Sequence, residues 1–318
     1  MKLVLALLLA VPLAAAGQSY PSRPIRVISD SAAGSPGDVA LRLATQKMTV
    51  QMGQPVVVEM RTGAGGQIAA GEVLRAGLDG YTVLYSSSLI MVSRFVMKSM
   101  KIDVQKDLAP ISPAARSNNF LLVHRSVPVA TLPEFIAYLK KNPGKLTYSS
   151  NGIGSSLHIQ WVGFLVSTGT DMLHVPYGSG NNSMRHTDFF VGRTSAVMTN
   201  LGSVKKPLDA GDIRALAMIG DERTPSLPDV PAITEVIPNV KLATGFWGFW
   251  GPAGLPDPIL TRLSGEVQKA LKDPETVARL EALDIKPFSA TPPEFAKAIA
   301  NQMDLLRDIT TAAGITPQ

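Results

Sequence analysis

The sequence predicts an α/β protein of two domains, and three observations carry that prediction. From Arg23 onward, short β-type runs alternate with Gly- or Ser-rich loops and amphipathic stretches, the pattern of parallel sheets covered by helices. About 300 residues follow Ala16, more than one hydrophobic core usually organises. Two apolar extended stretches, Asn118 to Val123 and Phe246 to Pro252, have breakers or polar residues beside them and read as crossings between domains. A chain that crosses twice builds one domain from both ends, 20–119 with 246–318, and the other from the middle, 120–245.

The chain opens Met1-Lys2, runs without charge from Leu3 to Ala16, and closes on Ala14-Ala15-Ala16 before the polar Gly17-Gln18-Ser19. A basic start, an apolar stretch and an Ala-x-Ala end make a secretory signal peptide over 1–16, so export with cleavage is expected. The stretch is shorter than the roughly 20 apolar residues a spanning helix needs. With no Cys in the chain there is no lipid attachment point, disulfide, Cys-ligated zinc or catalytic thiol.

Ile25 to Ile28 reads as the first strand, Ser29 to Gly37 as a loop, and Asp38 as the N-cap of a helix carrying Val39, Arg42, Leu43, Gln46 and Lys47. Pro55 to Glu59 follows as a strand, Arg61 to Gly66 as a loop, Ile68 to Ala76 as a helix, and Tyr81 to Tyr85 as a third strand ending in Ser86-Ser87-Ser88. The middle section repeats the scheme. Phe120 to His124 is an apolar strand, Leu132 to Asn142 a helix stopped by Pro143-Gly144, and Leu146 to Ser149 a strand leading to the loop Asn151 to Ser156 and a helix over Leu157 to Ser167. Met172 to Pro176, Ala196 to Met198 and Ile213 to Ile219 read as further strands, and the tail from Pro258 is chiefly helical, with Ile259 to Leu271 and Pro293 to Ala313 its best stretches.

Enzyme signatures are missing: no Gly-x-Ser-x-Gly elbow, His-Glu-x-x-His, phosphate-binding Gly-x-x-x-x-Gly-Lys-Ser/Thr or carboxylate-rich calcium loop occurs. His124, His158, His174 and His186 are dispersed. Gly63-Ala64-Gly65-Gly66-Gln67-Ile68 follows a strand but puts Ile where a dinucleotide fingerprint needs a small residue, so it reads as a glycine turn. The net charge of +5 is scattered, without the clustered basic footprint of nucleic-acid binding.

What recurs is a small-residue loop between a strand and a helix. The first turn of a helix leaves backbone N–H groups unpaired and partially positive, so such a loop can hold a carboxylate without Lys or Arg. Ala32-Ala33-Gly34-Ser35 before Asp38 is one such site, and Gly152-Ile153-Gly154-Ser155-Ser156 before His158 is the other. Placed in different domains by the crossings, they would face each other across a cleft. Trp247 reads equally as hinge packing or a cleft wall, Trp250 as packing, His158 as packing or a cap, and Arg185 and Arg193 as exposed ion-pair partners or contacts for a second carboxylate.

Tyr20-Pro21-Ser22-Arg23-Pro24-Ile25-Arg26, Gly53-Gln54-Pro55-Val56-Val57-Val58-Glu59, Gly63-Ala64-Gly65-Gly66, Asp79-Gly80-Tyr81-Thr82, Lys106-Asp107-Leu108-Ala109-Pro110, Asn142-Pro143-Gly144-Lys145-Leu146, His174-Val175-Pro176-Tyr177, Leu227-Pro228-Asp229-Val230-Pro231 and Gly251-Pro252-Ala253-Gly254 occur in an order that resembles the Bug (TctC-like) family, the periplasmic solute receptors of tripartite tricarboxylate transporters. The resemblance spans essentially the whole chain after the leader. It implies a class II periplasmic binding protein fold, two α/β domains joined by two crossing strands, closing on a carboxylate held by backbone amides and bridging waters. The binding residues it implies are Ser31, Ala32, Ala33, Gly34, Ser35 and Asp38 in the first loop, and Gly152, Gly154, Ser155, Ser156 and His158 in the second. Ser86, Ser87, Ser88, Tyr177, Gly178, Thr199, Asn200 and Trp247 assist them. No catalytic residue, metal or cofactor follows; the expected partners are a small anionic solute and membrane transporter subunits, met by a monomer in the periplasm. The chain departs from the family pattern at Asp30, Ser31 and Ala33, where the family usually carries Pro, an aromatic residue and Pro, at Ser35 in place of a glycine, and at Thr199 in place of the acid of many members. A ligand sensor for a signalling partner is the alternative use of the same fold, and an exported hydrolase a more remote one.

Overall fold

The computed structural model describes residues 20–178 and 181–317; the leader expected over 1–16 lies outside the described residues. The first elements are β1 (Ile25–Ser29), α1 (Pro36–Met52), β2 (Val56–Met60), α2 (Gln67–Arg75), β3 (Thr82–Ser87), α3 (Leu89–Val96), α4 (Val104–Asp107) and β4 (Leu108–Ser117). The middle holds β5 (Asn119–His124), α5 (Leu132–Lys141), β6 (Thr147–Ser150), α6 (Ser156–Thr168), β7 (Leu173–Pro176), α7 (Asn182–Phe190), β8 (Ala196–Asn200), α8 (Lys205–Asp209), β9 (Ile213–Ile219) and α9 (Ile233–Val236). The chain then returns through β10 (Trp247–Pro252), α10 (Asp257–Lys272), α11 (Pro274–Glu281), β11 (Ile285–Pro287) and α12 (Pro292–Ala312).

Two sheets result, in the orders β11-β4-β10-β3-β1-β2 and β7-β6-β8-β5-β9. β1 runs parallel to β2 and β3, so Ser29, Met60 and Ser87 end at one edge of the first sheet. β10 is antiparallel to β3 and starts at that edge, with Trp247 opposite Ser87. β4, antiparallel to β10, ends there as well. In the second sheet β6 is parallel to β7 and β8, and antiparallel β5 begins with Asn119 opposite Asn200, the last residue of β8. Only Asn118 separates β4 from β5, so the carboxyl-end edges of the two sheets are brought together at this crossing. In open α/β sheets that edge is where ligands bind.

Helix α1 starts three residues before the sequence reading places it. Ser35, not Asp38, is the N-cap: its hydroxyl accepts from the Asp38 amide, and Pro36 fills the first turn, where a missing N–H costs nothing. Gly53 ends the helix at φ 64°. The sequence reading names no strand over Leu108–Ser117, and Pro110 and Pro113 are unusual residues inside a sheet. The sheet accommodates them with two register shifts against β10.

One hydrophobic cluster draws on both ends of the chain and on its middle: Ile159 and Val162 of α6 pack with Ile90 and Met91 of α3 and with Ile299, Met303, Leu306 and Ile309 of α12. On the crossing side, Asn118 donates to Asp284 at 3.0 Å and Arg116 meets Glu222 at 3.2 Å. Gly163 lets α6 lie against the returning chain. A β-carbon there would collide with the Lys241 carbonyl and lie 3.1 Å from Ile309 Cδ1. Gly163→Ala is therefore expected to destabilise the fold by about 1–3 kcal/mol despite alanine's better helix propensity, read as a Tm lowered by several degrees. An unchanged or raised Tm would mean that α6 is not packed this tightly.

Candidate functional site

The two loops at the facing edges are built alike. In the first, the Ser31 amide donates to Ser29 Oγ at 3.1 Å, the Ser35 amide to the Ala32 carbonyl at 3.1 Å, and the Gly34 amide to Asp38 Oδ2 at 2.8 Å. In the second, the Gly152 amide donates to Ser150 Oγ at 3.1 Å, the Ser155 amide to the Gly152 carbonyl at 3.1 Å, and the Gly154 amide to His158 Nδ1 at 3.1 Å. Gly34 and Gly154 both take φ 74° at the third position of their turns, a conformation that glycine adopts without strain. Ser35 and Ser155 then cap α1 and α6 with nearly the same φ and ψ, −70° and 160° against −69° and 158°. Among the described residues, the amides of Ala33 and Ile153 have no protein acceptor and sit at the tips.

The back-reaching side chains differ in charge. Asp38 is buried and its carboxylate also faces Arg42 Nε at 2.9 Å. His158 is buried, stacked on His174 at 4.3 Å, and desolvation lowers its pKa, so it acts as a neutral acceptor. His174 is pushed down to about 4 by burial and by His158, and lies 2.7 Å from Ser150 Oγ.

Around the first loop, Trp247 lies under the start of α1. A β-carbon on Gly37 would enter its indole, so only glycine lets this turn rest on the ring. Ser86 Oγ donates to Asp30 Oδ2 at 2.5 Å, the Ser87 amide donates to Asp30 Oδ1 at 3.2 Å, and Ser88 Oγ accepts from the Phe246 amide at 3.3 Å. The Ser86 and Ser88 hydroxyls are thus engaged within the protein. Ser31 Oγ is buried with no partner among the described residues. Ala32, Ala33 and Gly34 are exposed.

Around the second loop, Gly152 and Gly178 are neighbours: a β-carbon on Gly152 would lie 3.7 Å from Gly178 Cα. Tyr177 Oη donates to Asp188 at 2.7 Å, Thr199 Oγ1 lies 3.1 Å from His186 Nε2, and Asn200 Oδ1 accepts from the Ser203 amide at 3.1 Å. Asn151 Oδ1 is another buried atom without a partner among the described residues. Arg193 forms the exposed ion pair expected of it, with Asp188 at 2.8 Å. Arg185 does not: it is 2% exposed.

Gly154 and Ser155, with Ile153, also line a cavity of about 480 Å3 whose other wall is Gly65, Ser93 and Val96. The sequence reading lacks these α3 contributors because Ser86 to Ser88 read as a strand's polar end, although Leu89, Val92 and Val96 carry a helical spacing.

A two-domain α/β protein with paired helix-start loops at the facing edges of its sheets belongs among the clamshell solute-binding proteins. The family model described as the tripartite tricarboxylate transporter family receptor matches residues 40–315, and the chain belongs to that family of periplasmic solute receptors. It is similar to Protein BugT of Bordetella pertussis, 29% identical over 96% of this chain and 93% of that one. Among solved structures it resembles a periplasmic transporter at 36% identity and TM-score 0.73, covering 94% of this chain and 99% of that one. An R. palustris protein solved with adipate matches at 28% identity and TM-score 0.77, covering 94% of this chain and 100% of that one.

Asp30 brings a buried carboxyl to this edge. Burial pushes its pKa from 3.8 up to about 6, partly offset by the Ser86 hydroxyl and the Ser87 amide. A carboxyl whose pKa is raised on folding makes the native state bind more protons than the unfolded state between about pH 4 and 6. Stability therefore falls as pH rises through that window. Asp30→Asn keeps an acceptor for Ser86 and removes the fall, so its Tm is expected to exceed the wild-type value at pH 7.5 and to converge with it near pH 4. Parallel melting curves across the range would show that Asp30 does not titrate there.

Proposed function

We propose that this chain is a periplasmic receptor that captures a small carboxylate in the cleft between its domains and delivers it to the membrane subunits of a tripartite tricarboxylate-type transporter. The observation that carries the reading is the matched pair of loops, each ending in a capped helix start and each presenting an unpaired tip amide. Such amides, with the partial positive charge of α1 and α6 behind them, hold a carboxylate without a cationic side chain. Buried polar atoms without protein partners among the described residues, Ser31 Oγ and Asn151 Oδ1, sit in the same two loops, which is where a bound solute or its waters would satisfy them. The adipate bound by the R. palustris protein supports the acid class.

Within this reading the solute is held by Ser31 to Ser35 from one side and by Gly152 to Ser156 from the other, with Ser87, Tyr177, Gly178, Thr199, Asn200 and Trp247 around it. Asp38 and His158 shape their loops, and Ser86 and Ser88 brace the strand end. The domains comprise 20–119 with 246–318, and 120–245, and closing of one upon the other is the signal to the transporter. The leader over 1–16 is removed on export, the mature chain acts as a monomer, and it performs no catalysis.

Ala33 and Ile153 each follow the first residue of their turn, a position that tolerates proline, so Ala33→Pro and Ile153→Pro delete one amide donor while keeping charge and turn. Calorimetric titration with mono- and dicarboxylates is expected to show each variant weakened about tenfold or more, the scale of one hydrogen bond to a charged group, with Tm unchanged. Wild-type affinity in both folded variants would show that the acid is not held by these amides.

A further inference from the structure

Arg185, in the first half of α7, is buried at 2% exposure, yet it meets no carboxylate among the described residues. Its Nη2 lies 3.1 Å from His186 Nε2, while Nε and Nη1 have no partner at all among those residues. The acid three residues on, Asp188, is already engaged by Tyr177 Oη at 2.7 Å and Arg193 Nη1 at 2.8 Å. His186 offers no negative charge. Burial and the neighbouring guanidinium push its pKa down to about 4, leaving it a neutral acceptor shared with Thr199 Oγ1 at 3.1 Å. Desolvation lowers Arg185 itself to about 10, so it remains a cation at neutral pH. A buried cation without a counter-ion costs several kcal/mol. Its surroundings tie it to the carboxyl end of the second sheet: His186, which it meets, reaches Thr199, the penultimate residue of β8, and Tyr177, close enough to act on the guanidinium, directly follows β7.

We propose that Arg185 is the counter-ion for a second acidic group of the solute, which makes this receptor selective for dianions. One carboxylate rests on the loop amides and the far anionic group pairs with the guanidinium. The proposal rests on the carboxylate reading above and adds a residue that decides among acids. Thr199, being neutral, leaves Arg185 unpaired until such a ligand arrives.

The test is titration calorimetry of wild type, Arg185→Met and Arg185→Lys with four- to six-carbon dicarboxylates, their monocarboxylate counterparts and an ω-sulfonated acid of equal length. Wild type is expected to favour the dianions by about 30-fold or more. Arg185→Met should lose that preference while its monocarboxylate affinity stays within about threefold, and Arg185→Lys should keep part of it. Tight binding of the sulfonated acid as well supports recognition of charge at the far end. Equal weakening of mono- and dianions in Arg185→Met, or no dianion preference in wild type, overturns the proposal alone; failure of wild type to bind any acid overturns the carboxylate reading first. Ligand-free Tm gives a second, independent readout. Removing an unpaired buried charge should leave Arg185→Met at least as stable as wild type, whereas a marked loss would reveal a structural role for the guanidinium.

Discussion

A backbone amide bonded to a side chain four residues ahead shapes each of the two helix-start loops: Gly34 to Asp38, and Gly154 to His158. Each bond folds the loop back over the first turn of its helix and leaves the preceding residue's amide pointing free. The tip amides, the capping serines and the left-handed glycines all follow from this closure. Replacing either back-reaching side chain would release its loop from the helix, so their role is architectural. The back-reaching group of the second loop is uncharged because desolvation keeps His158 neutral, and in the first the Asp38 charge is answered by Arg42.

Much of this was legible before the structure. Gly-Ser pairs ahead of amphipathic stretches marked both loops, and the apolar runs Ile25 to Ile28, Phe120 to His124 and Ile213 to Ile219 are strands within a residue or so of where they read. Local signals failed where tertiary contacts decide. Leu108–Ser117 is a strand despite two prolines because β10 and β11 pair with it on either side. Asp38 reads as a cap because Asp is a good one, yet Ser35 beside Pro36 is better placed. Nothing local distinguishes Arg185 from Arg193: one is 2% exposed without a counter-ion among the described residues, the other pairs at the surface, and the difference lies in what α7 packs against.

Charge differs between the carboxyl ends of the two sheets. The first sheet's edge carries Asp30, a carboxyl that burial makes reluctant to ionise, and the second sheet's edge carries Arg185, a guanidinium that burial cannot readily neutralise. In the proposed binding mode an anion between them is drawn toward the second edge, so a two-ended acid would be given a direction by the protein's own field as well as by its hydrogen bonds.

The place of β10 in the first sheet has a consequence for the order in which the protein forms. It lies between β3 and β4, so these strands, made early, do not touch each other and wait for a segment beginning at Trp247. The second sheet has no such debt to later chain; all five of its strands fall between Asn119 and Ile219. In a polypeptide that emerges from its amino end, the middle sheet can be complete while the sheet begun first still lacks an interior strand. During that interval the facing edges of β3 and β4 are open, and an unpaired edge is where strands from other chains add.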